Sequence, residues 1–127
     1  EQKIWLFLPE TAVDCPFELE IENSSPAETP VHFDLQTLYL DAQKIVGTLN
    51  FRTLRKEDTL FPKGMNGKKF AFEILKENKI PAALRSSYFG LFDQEKLILI
   101  PEMKLDKRAL ADEHTTQVLR VSIKKKQ

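Results

Sequence analysis

Residues Gly64 to Lys69, GMNGKK, set two glycines and two lysines directly ahead of an amphipathic run. That grouping could hold an anion: glycine lets a phosphate approach the backbone, N–H groups at a helix start point outward, and lysine adds charge. Only Met65 and Asn66 separate the glycines, and Lys69 rather than Ser or Thr follows Lys68, so this is not a nucleotide-binding P-loop. Lysine is disfavoured in a first helical turn, which already carries about half a positive charge. Two readings stay open: a cradle whose bound phosphate offsets that repulsion, or a tight turn needing positive φ at Gly64 or Gly67 with solvated lysines. Other cations lie close in sequence, namely Arg52, Arg55, Lys56, Lys63, Lys79 and Arg85. They form either a phosphate-binding patch or an ordinary wet face.

Enzymatic constellations are absent from the sequence. His32 and His114 have no metal-ligand spacing with each other or with Cys15. Asp41, Asp58 and Asp106 could bind magnesium one at a time, but aspartates at such positions usually cap backbone N–H groups, as Asp41 in LDAQK is expected to do. Asp58 is expected to order its loop or to pair with Arg55. Ser86 and Ser87 lack the glycines of a nucleophile elbow. No catalytic residue and no metal site is therefore assigned. Phe51, Phe61, Phe70, Phe72, Tyr88, Phe89 and Phe92 could stack bases of a single strand, but most fall at apolar positions and read as core.

With 127 residues, 42% of them hydrophobic, the chain is read as one domain spanning 1–127. Its start at Glu1 rather than methionine points to a fragment of something longer. No apolar run approaches the ~20 residues of a membrane span. A single cysteine, Cys15, permits no internal disulfide, which suits the cytoplasm, and reads as a small buried hydrophobe. The net charge of zero conceals a division: residues 1–43 sum to −8, residues 44–108 to +6 and residues 109–127 to +2. The central excess points to a polyanion unless folding brings the acidic first third against it.

The positioning elements are short strands, expected at Ile4–Leu8, Phe17–Ile21, Leu38–Leu40, Leu49–Leu54, Tyr88–Phe92, Leu97–Ile100 and Val118–Ile123. FELEIE and VLRVSI alternate as strands with one wet face do. One helix is expected over about 68–78, because Phe70, Ala71, Ile74 and Leu75 share an arc of about 140°, with Asn78 as its end. A short second helix is expected at about 81–86, Pro81 suiting its first turn. The fold class is α+β: a β-rich domain of mostly antiparallel strands, sandwich or barrel-like.

The motif order in the centre of the chain is family-specific. Leu40-Asp41-Ala42, the strand Leu49 to Arg52, Glu57-Asp58, Pro62 to Lys69 and Lys79 to Arg85, followed by LILIPEMKLDKR and TTQVLRVSI, resemble the C-terminal domain of bacterial tRNA(Ile)-lysidine synthetases over residues 38–123. Glu57 and Glu102 stand where that pattern has glycine, and Ala109 where it often has an aromatic. The resemblance implies a parent enzyme that uses ATP and Mg²⁺ to adenylate the wobble cytidine of tRNA(Ile) and joins lysine to it. It places the ATP chemistry in a separate N-terminal domain and implies no cofactor in this fragment. It implies a noncatalytic role here, gripping the tRNA acceptor stem. Arg52, Arg55, Lys56, Lys63, Gly64, Gly67, Lys68, Lys69, Lys79, Arg85 and Arg108 are then the tRNA-contact candidates. The implied partners are tRNA(Ile) and the parent's catalytic domain. The alternative is a structural or dimerisation module, a homodimer included, that ignores RNA.

Overall fold

Alternating apolar residues build the first sheet. In β2 (Phe17–Ser24) the side chains of Phe17, Leu19 and Ile21 are buried while Glu18 is exposed, as FELEIE requires. β1 (Lys3–Ile4), β2, β10 (Val118–Lys125) and β3 (Thr37–Asp41) lie side by side in that order, antiparallel throughout. The computed structural model describes residues 3–4, 15–30 and 34–126. Of the expected first strand, positions 5–8 fall outside them, as does His32.

The second sheet is buried on both faces. Its order is β4 (Leu49–Thr53), β7 (Phe89–Asp93), β8 (Lys96–Ile100) and β9 (Lys104–Leu105), again antiparallel. Leu49, Phe51, Leu91 and Leu99 meet the first sheet's Phe17, Leu19, Leu38, Leu40 and Val121 in one core. Phe92, Leu97 and Ile100 face the other way, onto a second core with Leu54, Leu60, Ala71, Ile74 and Leu75. Burial from both sides explains the unbroken apolar run LILI in β8. The register there shifts, Leu91 opposing Leu99 while Phe92 opposes Leu97, so Ile98 is a bulge that joins Leu99 on the first-sheet side. Gly90 is required by the close packing on the other side: a Cβ there would lie 2.7 Å from both Leu54 Cδ2 and Leu97 Cδ1. Cys15 is buried, and that burial pushes its thiol above the ordinary 9.0.

The second core is closed by a small hairpin, β5 (Thr59–Leu60) with β6 (Lys69–Phe70), leading straight into α1 (Ala71–Glu77). The helix buries Ala71, Ile74 and Leu75 as its period predicts, while Phe70, expected on the same face, is its exposed N-cap, and Asn78 ends it. Its start is three residues later than expected, because Lys69 and Phe70 pair with Leu60 and Thr59 rather than wind into the helix. The expected helix at about 81–86 is a 3₁₀ segment, Ala82–Ser87. Among the described residues, no helix is long and apolar enough to cross a membrane.

The end of α1 is a Schellman turn. Lys79 N–H donates to Lys76 O at 3.0 Å and Ile80 N–H to Leu75 O at 3.0 Å, with Lys79 at φ 67°. Ile80 then packs on the core that Leu75 fills. Lysine carries a Cβ penalty in this left-handed conformation that glycine does not. Lys79→Gly should stabilise the chain by about 1 kcal/mol, raising the urea midpoint at unchanged slope.

Candidate functional site

Two buried aspartates hold the basic loops, and each works in the same way. Asp58 accepts from Arg52 Nη1 at 3.0 Å and Nη2 at 2.9 Å, and from the Arg55 N–H at 2.7 Å. Its own carbonyl accepts from Ala71 N–H at 2.9 Å, tying the loop to the first residue of α1. The Arg52 guanidinium lies 3.7 Å from the Phe92 ring centroid and also donates to Thr53 O and Glu95. Burial would favour its neutral form, but the hydrogen bonds and charge of Asp58, with Glu95, outweigh this and raise its pKa. Arg52, expected to grip phosphate, has its fork committed to Asp58. Asp58 orders its loop as expected, with Arg52 rather than the Arg55 side chain as its ionic partner.

Asp106 is the second anchor. Fully buried, it accepts from Phe61 N–H at 3.0 Å, from Arg108 N–H at 2.7 Å and from the Arg108 guanidinium at 2.8–3.1 Å. That guanidinium lies 4.3 Å from the Phe61 ring centroid. Arg108 is therefore engaged with an aspartate and a ring, as Arg52 is. Asp41 likewise caps its turn, accepting from Gln43 N–H at 2.9 Å.

The glycine loop, residues 61–68, connects β5 to β6. Gly64 and Gly67 adopt φ 87° and 82°, and nothing lies within 4 Å of a Cβ built at either, so both meet the demands of a tight turn rather than a crowded site. The loop is docked on the segment after β9: Lys63 N–H donates to Leu105 O, Lys107 N–H to Phe61 O, and Lys107 Nζ to Met65 O at 2.6 Å. Lys107 and Phe61 escaped the sequence reading as site residues. The signal was the DKR triplet, an aspartate followed by two cations, beside a strand end.

Around this frame Arg55, Lys56, Lys63 and Lys68 are exposed. Arg55 and Lys56 stand at one end of β5 and the glycine loop at the other, about 7 Å of strand apart. Lys69 pairs with Glu77 in the last turn of α1. Lys79 is exposed beyond that turn, and Arg85 Nε donates to Ile80 O at 3.0 Å. The expected lysine pair at a helix start is a correction. α1 has seven residues, both lysines precede it, and Glu73 Oε1 accepts the Phe70 N–H at its mouth at 3.1 Å. Neither lysine lies within the first helical turn, and the Phe70 N–H at its mouth is taken by the helix's own Glu73.

Among the described residues, the carboxylates of β2 meet the cations of β10 rather than this region. Glu18 lies opposite Lys124 and Glu22 opposite Arg120 across β2 and β10, with Glu22 and Arg120 ion-paired. Lys44 joins Asp112 at 3.1 Å. The His114 N–H and then Lys44 hold the Asp112 carboxyl below its ordinary range. Partial neutralisation of the centre comes instead from its own Asp58, Glu95, Glu77 and Asp106.

Residues 48–123 match the family described as the TilS substrate C-terminal domain. The chain belongs to this family. It is 29% identical over 119 residues to a tRNA(Ile)-lysidine synthase of Symbiobacterium thermophilum, covering 94% of this chain and 24% of that protein. It is 30% identical over 100 residues to a tRNA(Ile)-lysidine synthase of Dehalococcoides mccartyi, covering 76% and 21%. The chain thus spans about a quarter of the length of these curated relatives. A crystal structure of a TILS C-terminal domain has the same fold, with TM-score 0.75 at 20% identity over 99% of both chains. An N-terminal fragment of the phenylalanyl-tRNA synthetase β-subunit of Pyrococcus horikoshii shares part of it, with TM-score 0.53 at 18% identity over 68% of this chain and 27% of that one.

In this TilS C-terminal fold the Asp58 pair is the strut under the basic loops. Asp58→Ala leaves Arg52 without its partner and the Arg55 N–H without its acceptor, and should cost about 3 kcal/mol in chemical denaturation. Arg52→Met added to it should recover part of that loss, since the unpaired cation is then gone.

Proposed function

We propose that the chain is the noncatalytic tRNA-binding part of a tRNA(Ile)-lysidine synthase acting in the cytoplasm. The ATP and Mg²⁺ chemistry on the wobble cytidine is assigned to the remainder of that enzyme. The observation that carries this reading is the pairing of family membership with a set of exposed cations, Arg55, Lys56, Lys63 and Lys68, carried on a hairpin whose two ends are anchored by Asp58 and Asp106. A-form stems display phosphates and 2′-hydroxyls across a shallow minor groove and hide their base edges, so a stem reader needs spaced cations on a rigid frame more than stacking rings. Lysines serve as point charges and Arg55 as a fork for phosphate oxygens. The Arg52 and Arg108 forks act one layer back, by holding the loops that present these groups.

Phe70 and Leu84, large apolar residues 47% and 50% exposed, favour a second reading in which the chain packs on its parent or on a twin.

The discriminating experiment titrates tRNA(Ile) against the chain over a salt series. Four phosphate contacts predict a slope of log affinity on log salt of about −3, falling to about −1.5 in Lys56→Glu/Lys68→Glu. A flat salt response, with dimers in sedimentation that RNA leaves unchanged, establishes the packing reading instead.

A further inference from the structure

Where strand ends of the two sheets meet, at the start of β2 and β7 and the end of β8 and β10, a cleft of about 520 Å³ opens. Phe17, Tyr88, Phe89 and Met103 wall it, and Lys125 and Lys126 edge it. The Phe17 ring is stacked on Phe51 at 5.8 Å, so that wall is fixed, while Tyr88, Phe89 and Met103 are only half-buried and leave ring and thioether surface to the cleft. Its size suits one small ligand. Its chemistry is particular: aromatic side chains beside two ammonium groups suit a base attached to a phosphate.

The rim already holds an anion of the protein's own. Glu102 pairs with Lys125 at 3.2 Å across the cleft, and does so from φ 68°, a left-handed backbone that glutamate adopts only at a cost. Both partners are exposed, so the pair is weakly held and a phosphate could replace the carboxylate on Lys125. A short stretch of chain links the cleft to the basic loops. Met103 abuts β9, whose Leu105 carbonyl holds the Lys63 N–H of the glycine loop.

The geometry points to a second RNA contact: the cleft takes one unpaired nucleotide next to the bound duplex, its base against Tyr88 and Phe89 and its phosphate on Lys125 and Lys126. This rests on the RNA-binding reading above, and adds to it a preference for a duplex that ends in a single strand.

The test compares a blunt RNA hairpin with the same hairpin bearing a short unpaired 3′ tail that contains 2-aminopurine. The tailed hairpin should bind about tenfold tighter, the worth of one base–aromatic stack, and its fluorescence should fall on binding. Tyr88→Ala should remove both the advantage and the quenching while blunt-hairpin affinity holds. Glu102→Gln should enlarge the advantage by releasing Lys125. Should Tyr88→Ala fail to fold, Lys125→Ala/Lys126→Ala, which alters exposed side chains, should reduce the tail's advantage instead. Equal binding of tailed and blunt hairpins without quenching overturns the cleft proposal and leaves the RNA-binding reading intact. Failure of both hairpins to bind overturns both, and quenching by the free mononucleotide at equal strength makes the cleft a small-molecule site.

Discussion

A partly buried guanidinium clamped between a carboxylate and an aromatic ring supports the working part of this chain. Arg52 leaves β4 beside Phe92 and closes a two-pronged hydrogen bond on Asp58. Removing both charges from water is costly, and the pair persists because donors fill the oxygens of Asp58: two guanidinium nitrogens and the Arg55 N–H on its carboxylate, and the first N–H of α1 on its carbonyl. Sheet, loop and helix are thereby locked to one another at a single residue. The Asp106 clamp on Arg108 and Phe61 does the same at the far end of the hairpin, so the basic loops are held at two fixed points.

Charge is distributed by this architecture in two separate ways. The acidic strand β2 meets the basic strand β10 in register, which places Glu18 opposite Lys124 and pairs Glu22 with Arg120. Among the described residues, the cations of the central segment lie on a different sheet and hairpin, where neighbouring carboxylates pair with some of them. A chain of zero formal charge can in this way segregate its charges between elements.

Much of the fold was legible because burial acts on one face at a time in β2, β10 and α1. FELEIE, VLRVSI and the Ala71, Ile74, Leu75 period each state their own partner face. What was not legible depends on contacts that residue type and period do not determine. Lys69 and Phe70 fit a helical period, but the non-local pairing with Leu60 and Thr59 wins, and it is that contest that moves the helix start to Ala71. The bulge at Ile98 is invisible in LILI because both of its neighbours are equally apolar. Among the site candidates, residue type could not separate Arg52 and Arg108, which hold the frame, from Arg55 and Lys56, which stand on it. The difference is a carboxylate, six residues away in one case and two in the other, that takes up the guanidinium, and this local contact depends on the loop conformation rather than on residue type.

The central claim is that a rigid, carboxylate-anchored hairpin presents its loops to RNA. Amide hydrogen exchange of the chain with and without tRNA(Ile) tests it most directly. The account predicts added protection over residues 54–57 and 61–68, with β2 and β10 strand centres unchanged. Protection confined to the first sheet, or exchange in the glycine loop that tRNA does not alter, would contradict it.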